Sequence, residues 1–135
     1  MISLSGVAWS KDYELGCEFV DSQHKRLFEL VNNMTKACTE GNDRKMLDET
    51  LDFLLQYTVQ HFADEEALQI KYNYPGYEAH KQLHEEFIET VGEKVAEYRE
   101  KGSTKILNDA VNKIVIKWLI NHILMEDMKI GAYIK

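Results

Sequence analysis

Residues 47–68 read LDETLDFLLQYTVQHFADEEAL, and Leu47, Leu51, Leu54, Thr58, His61, Glu65 and Leu68 recur at alternating spacings of three and four. That period belongs to a helix with one buried seam. Three more stretches behave in the same way. The first gives His24, Leu27, Val31, Met34 and Cys38, the third His80, His84, Phe87, Val91, Val95 and Tyr98, and the fourth Leu107, Val111, Ile114, Trp118, His122 and Met125. Turn chemistry separates them at Gly41-Asn42, at Asn73-Tyr74-Pro75-Gly76 and at Gly102-Ser103. The helices are expected over about 22–40, 43–71, 77–101 and 104–131, after an N-terminal arm, residues 1–20, with no convincing helical period. Short connections make neighbouring helices antiparallel, so the chain reads as all-α, an up-down-up-down four-helix bundle. One domain spans residues 1–135, with the bundle over 21–131.

The seams should be apolar, yet they carry His24, His61, Glu65, His80, His84 and His122. A lone histidine on such a stripe is ordinarily a core residue satisfied by a backbone carbonyl. All five histidines of the chain on inward stripes make that reading poor. Glu65 sharpens the point, because a buried carboxylate without a cation or strong hydrogen bonds costs several kcal/mol. His61 and Glu65 are four residues apart, as are His80 and His84, so each pair shares a helical face. Imidazole and carboxylate without thiolate suit iron and also admit zinc, manganese or copper. The candidates exceed the four ligands of a structural zinc and suit two metal ions sharing carboxylates. The ferritin-like pattern fits less well, because no Glu-x-x-His pair occurs at these positions. The fourth helix should add a carboxylate near His122. Regular geometry chooses Glu126, four residues on; Asp127, five on, is turned roughly 140° away on an ideal helix and needs a bulge or local unwinding to reach the site.

Composition narrows the partners. The 135 residues carry a formal net charge of -7, which argues against nucleic acid or an anionic membrane. No stretch approaches membrane-spanning length. Met1 to Ser10 shows no signal-peptide pattern, and Cys17 and Cys38 lack metal-site or framework spacing, so reduced thiols in a cytoplasmic protein are expected.

Four motifs then stand in order, one per helix. Asp21-Ser22-Gln23-His24 resembles the hemerythrin D-x-Q-H signature. His61-Phe62-Ala63-Asp64-Glu65-Glu66 resembles H-F-x-x-E-E. His80-Lys81-Gln82-Leu83-His84 with Phe87 resembles H-x-x-x-H-x-x-F, and His122 to Asp127 resembles H-x-x-x-x-D. Together they are highly specific, and the likeness to the hemerythrin family runs from about Trp9 onward.

The resemblance implies two non-haem iron ions, one held by His24 and His61 and the other by His80, His84 and His122. Glu65 and Asp127 bridge them, with an oxo or hydroxo bridge, and Asp127 is thereby chosen over Glu126. The first iron keeps an open position where O2 binds. Leu27, Phe62, Trp118, Leu119 and Ile123 are expected to make a dry apolar O2 pocket, although each alone reads as plain core. The implied function is reversible O2 binding for delivery, storage or scavenging, and not enzyme catalysis, since every histidine is committed to metal. A di-iron oxidase or peroxidase using the same site, an O2-sensing module, and a metal-free bundle are the alternatives; a redox partner is not identified. Gln69 stands where many bacterial relatives have Met, and matters only if it points inward. Asp21 is expected to cap the first helix or support a ligand histidine, and Gln23 to be exposed. Trp9 and Tyr13 should pack the arm over one end of the bundle, and Tyr72, Tyr74 and Tyr77 should serve the turn.

Overall fold

The computed structural model describes residues 7–41 and 43–134; Asn42, half of the first expected turn, lies outside them. Four helices follow a short arm. We call them α1, Glu18–Thr39, α2, Arg44–Lys71, α3, Tyr77–Lys101, and α4, a continuous helical stretch from Thr104 to Ile134. α1 and α3 each pack against both α2 and α4, which closes the bundle into a ring of neighbours. The expected up-down-up-down all-α architecture is what the chain adopts.

Local chemistry sets the boundaries. Asp43 caps α2 by accepting from the Met46 N–H at 2.9 Å. Gly102, at φ 64, ends α3 in the left-handed region that glycine adopts without cost. Ser103 caps α4 through the Ile106 N–H. α1 begins four residues before its expected start, because Gly16 at φ 88 breaks the arm and Cys17 is already the extended residue ahead of the first turn.

α4 is not uniformly α-helical. It runs as Thr104–Ala110, Ile116–His122 and Met128–Ile134, joined by two π-helical turns, Val111–Val115 and Ile123–Asp127. Each inserts i→i+5 bonds, as from the Met128 N–H to the Ile123 carbonyl. The buried face therefore advances by five residues at each turn, from Val111 to Ile116 and from His122 to Asp127. Two expected seam positions lose their place for this reason. Met125 is 62% exposed, and Ile114 only partly buried.

One end of the bundle is an apolar core of Val31, Met34, Leu47, Leu51, Leu54, Val95 and Leu107. Each such side chain contributes roughly 1.5–3 kcal/mol by leaving water. Tyr98 is wholly buried there, and its hydroxyl donates to Asp48 at 3.0 Å. Between α2, α3 and α4 lies an apolar cavity of about 620 Å³ bounded by Leu54, Phe87, Val91 and Val111. The arm packs along the flank of α1 rather than over an end. Trp9 and Tyr13 meet the Phe28 ring edge-on at 5.2 and 5.1 Å. Asn32 pairs in both directions with the Val7 backbone. Asp21 neither caps α1 nor touches a histidine; its carboxylate accepts from the Leu15 and Gly16 N–H groups and fastens the arm. At the Pro75 turn, Tyr74 packs edge-on against Tyr133.

Candidate metal centre

The other half of the bundle holds the polar residues. His24 on α1, His61 and Glu65 on α2, His80 and His84 on α3, and His122 and Asp127 on α4 all converge, each at most 6% exposed. Two carboxylates join two histidine groups. Glu65 Oε2 lies 3.4 Å from both His24 Nε2 and His61 Nε2. Its other oxygen, Oε1, lies 2.8 Å from His80 Nε2 and 3.3 Å from His84 Nε2. Asp127 repeats the division, with Oδ2 3.1 Å from His24 Nε2 and Oδ1 3.0 and 3.2 Å from His80 and His122. Each carboxylate thus turns one oxygen to the pair and the other to the trio: Glu65 reaches His24 and His61 on one side and His80 and His84 on the other, and Asp127 reaches His24 on one side and His80 and His122 on the other.

These contacts are not a self-sufficient hydrogen-bond network. His122 Nε2 lies 2.9 Å from His80 Nε2 and 3.2 Å from His84 Nε2. One proton can serve each such contact, so three imidazole nitrogens facing one point leave lone pairs opposed. His24 Nε2, Glu65 Oε2 and Asp127 Oδ1 are buried without a hydrogen-bond partner although their neighbours stand within 3.4 Å. Close approach without hydrogen-bond alignment is what ligands show around a shared cation. Donors about 2.1 Å from an ion and at right angles sit about 3.0 Å apart, which matches the observed 2.8–3.4 Å. Both groups satisfy the geometry of a metal site, one around Glu65, His80, His84, His122 and Asp127, the other around His24, His61 and Glu65. The donor set fits two metal ions.

Without metal, electrostatics ties protons to the cluster. Burial alone would lower His24, but Asp127 and then Glu65 outweigh it and push the imidazole up to about 9. His80 rises to about 9 through the same competition. Burial opposes ionisation of Glu65, yet four histidines hold it well below the usual carboxylate range. Asp127 is likewise lowered, by His122, His24 and His80 against burial and the nearby Glu65 charge.

The deciding observation is that residues 15–134 match the family model of the hemerythrin HHE cation binding domain. The chain belongs to the hemerythrin family. Its similarity extends to a bacteriohemerythrin of Stenotrophomonas maltophilia, 34% identical over 96% of this chain and 82% of that one. A myohemerythrin of Theromyzon tessulatum is 29% identical, covering 90% of this chain and 88% of its own. A crystal structure of wild-type hemerythrin superposes with a TM-score of 0.84 at 28% identity, covering 96% of this chain and 97% of that one.

Around the cluster of this hemerythrin-family chain, aromatic rings seal the trio. Phe62 stacks on His84 at 3.8 Å, Trp118 on His122 at 4.2 Å, and Phe87 on Trp118 at 4.0 Å. Leu27, Leu119 and Ile123 are buried in the adjoining core. None of the five expected pocket residues borders the 620 Å³ cavity, which Phe87 separates from Trp118. Glu126 points away, 31% exposed and 3.7 Å from Lys129. Gln69 is wholly buried.

Sequence reasoning missed the residues that orient the imidazoles. Gln23, expected to be exposed, is half-buried. Its Oε1 lies 2.8 Å from His61 Nδ1, and its Nε2 donates to Asp64 at 2.9 Å. Gln60 donates to the other Asp64 oxygen. Glu66 Oε2 stands 2.8 Å from His84 Nδ1. These acceptors fix the proton on Nδ1 and turn Nε2 toward the carboxylates, the usual outer support of a metal-ligating histidine. The signal was present in the D-x-Q-H and H-F-x-x-E-E motifs, which carry Gln23 and Glu66 beside the ligands.

Proposed function

We propose that this chain binds O2 reversibly at a non-haem di-iron centre, with His24 and His61 holding one ion, His80, His84 and His122 the other, and Glu65 and Asp127 joining them. The division of each carboxylate between the two histidine groups carries this reading. When bound, the iron pair supplies the electrons that hold O2. The residues supply the rest. Two histidines on one side against three on the other leave the first position short of ligands, as an incoming molecule requires. Gln23 and Glu66 hold His61 and His84 in the ligating tautomer. Leu27, Phe62, Trp118, Leu119 and Ile123 form an apolar wall that excludes water and offers no proton donor beyond the Trp118 indole, which favours release of O2 over its reduction.

Binding rather than turnover is supported by the absence, among the described residues, of a histidine outside the cluster that could act as acid or base. The two unpaired thiols, Cys17 and Cys38, suit a reducing cytoplasm; no described helix is long and apolar enough to cross a membrane. We take residues 1–135 as one domain, the arm fastened to the bundle by Asp21 and Asn32.

The test is His61→Ala. The variant should keep its helical signal and lose O2 binding. Normal O2 binding by a folded His61→Ala chain would overturn the assignment of the open position.

A further inference from the structure

Among the described residues, six buried side-chain atoms lack a hydrogen-bond partner: His24 Nδ1, His24 Nε2, Glu65 Oε2, Asp127 Oδ1, and Gln69 Nε2 and Oε1. Metal ions at the two proposed positions account for three, since His24 Nε2, Glu65 Oε2 and Asp127 Oδ1 face the cluster. His24 Nδ1 and the Gln69 amide are left over.

The remainder is chemically matched. Once His24 binds through Nε2, its proton sits on Nδ1, which becomes a buried donor. Gln23 and Glu66 serve that nitrogen in His61 and His84, and no described residue serves it in His24. Apart from the metal-facing carboxylates, Gln69 Oε1 is the unpartnered acceptor. The placement agrees as well. Gln69 lies four residues beyond Glu65, on the same face of α2 and about 6 Å further along, and Glu65 touches His24. The Gln69 backbone carbonyl is occupied by the Tyr74 N–H, so the side chain alone is unassigned. A wholly buried amide without a partner is costly, and ordered water is the usual remedy in a polar internal site.

We infer that an ordered water bridges His24 Nδ1 to Gln69, making Gln69 the positioning residue for the histidine of the under-coordinated iron. The Nδ1–H donates to the water, and the water donates to Gln69 Oε1; Nε2 borders the same hydration site. The inference rests on the di-iron reading. It gives His24 the outer support that His61 and His84 obtain from direct contacts with Gln23 and Glu66.

Anaerobic Fe(II) titration of the metal-free chain against a competing chelator tests this in wild type and Gln69→Met. The wild type should bind two Fe(II). In the variant the weaker site should lose about 10- to 100-fold in affinity, the tighter site should be unchanged, and the melting temperature of the metal-free chain should not fall, because Met matches the volume without a polar group to satisfy. Wild-type affinity at both sites in a folded variant would overturn the inference. So would a high-resolution crystal structure of the iron-loaded wild type with no water at His24 Nδ1, a measurement that stands even if the variant fails to fold. Fewer than two Fe(II) in the wild type would overturn the di-iron reading, and this inference with it.

Discussion

Asp127 Oδ1 lies 3.2 Å from His122 Nε2, although five residues separate them on one helix. In a regular α-helix they would face directions roughly 140° apart. The π-helical turn Ile123–Asp127 removes that difference and gives the cluster its second carboxylate.

Replacement of the two neighbouring acids separates their roles. Asp127→Ala should bind fewer than two irons and form no O2 adduct. Glu126→Ala, which loses only an exposed pairing with Lys129, should keep both and shift stability within about 0.5 kcal/mol. Iron counting and chemical unfolding check this pair.

The same π-helical turn explains where the sequence was and was not legible. The three- and four-residue spacings on α1, α2 and α3 locate most of the seams, because those helices are regular; Thr58, Leu68 and Val91 are only partly buried, and beyond Glu65 the buried position is Gln69 rather than Leu68. On α4 the sequence carries no local mark of a π-turn, so spacing alone chose Glu126 and put Met125 inward; family motif, not periodicity, selected Asp127. Gln23 escaped for another reason. A polar residue adjacent to a seam position ordinarily faces water, and only packing of α1 on α2 reveals its contact with His61. The early start of α1 depends on Gly16 and on Asp21, whose contacts with the arm are set by the folded chain.

Gln23→Leu removes the acceptor that holds the His61 ring. Affinity for the Fe(II) at the His24 and His61 position should fall about 10- to 100-fold, with little change in helical content. Competitive metal titration and circular dichroism measure both.

Gly131 sits against the arm, where an added Cβ would meet the Leu15 carbonyl oxygen at 2.7 Å and Leu15 Cβ at 2.9 Å. Backbone cannot yield as a flexible side chain can. Gly131→Ala should cost about 1–3 kcal/mol in unfolding free energy, read from denaturant curves, and should leave the iron count at two.

The metal-free chain should respond to pH on both sides. His24 and His80 are raised from 6.5 to about 9 in the folded state. Their stabilisation is complete below about pH 6.5 and is lost as pH rises through 9. Glu65 and Asp127 are lowered, so their contribution is present above the ordinary carboxylate range and is lost as pH falls below it. Thermal melts of the metal-free chain should peak between about pH 4.5 and 6.5. Iron affinity should instead rise with pH across 6.5–9, because binding releases the imidazole protons.

Anaerobic reconstitution with Fe(II), iron counting, and absorption spectra before and after O2 test the central claim most directly. The account predicts two irons per chain and a visible charge-transfer band that forms with O2 and disappears on deoxygenation. Two irons that oxidise at once without a lasting adduct, or a single iron per chain, would contradict it.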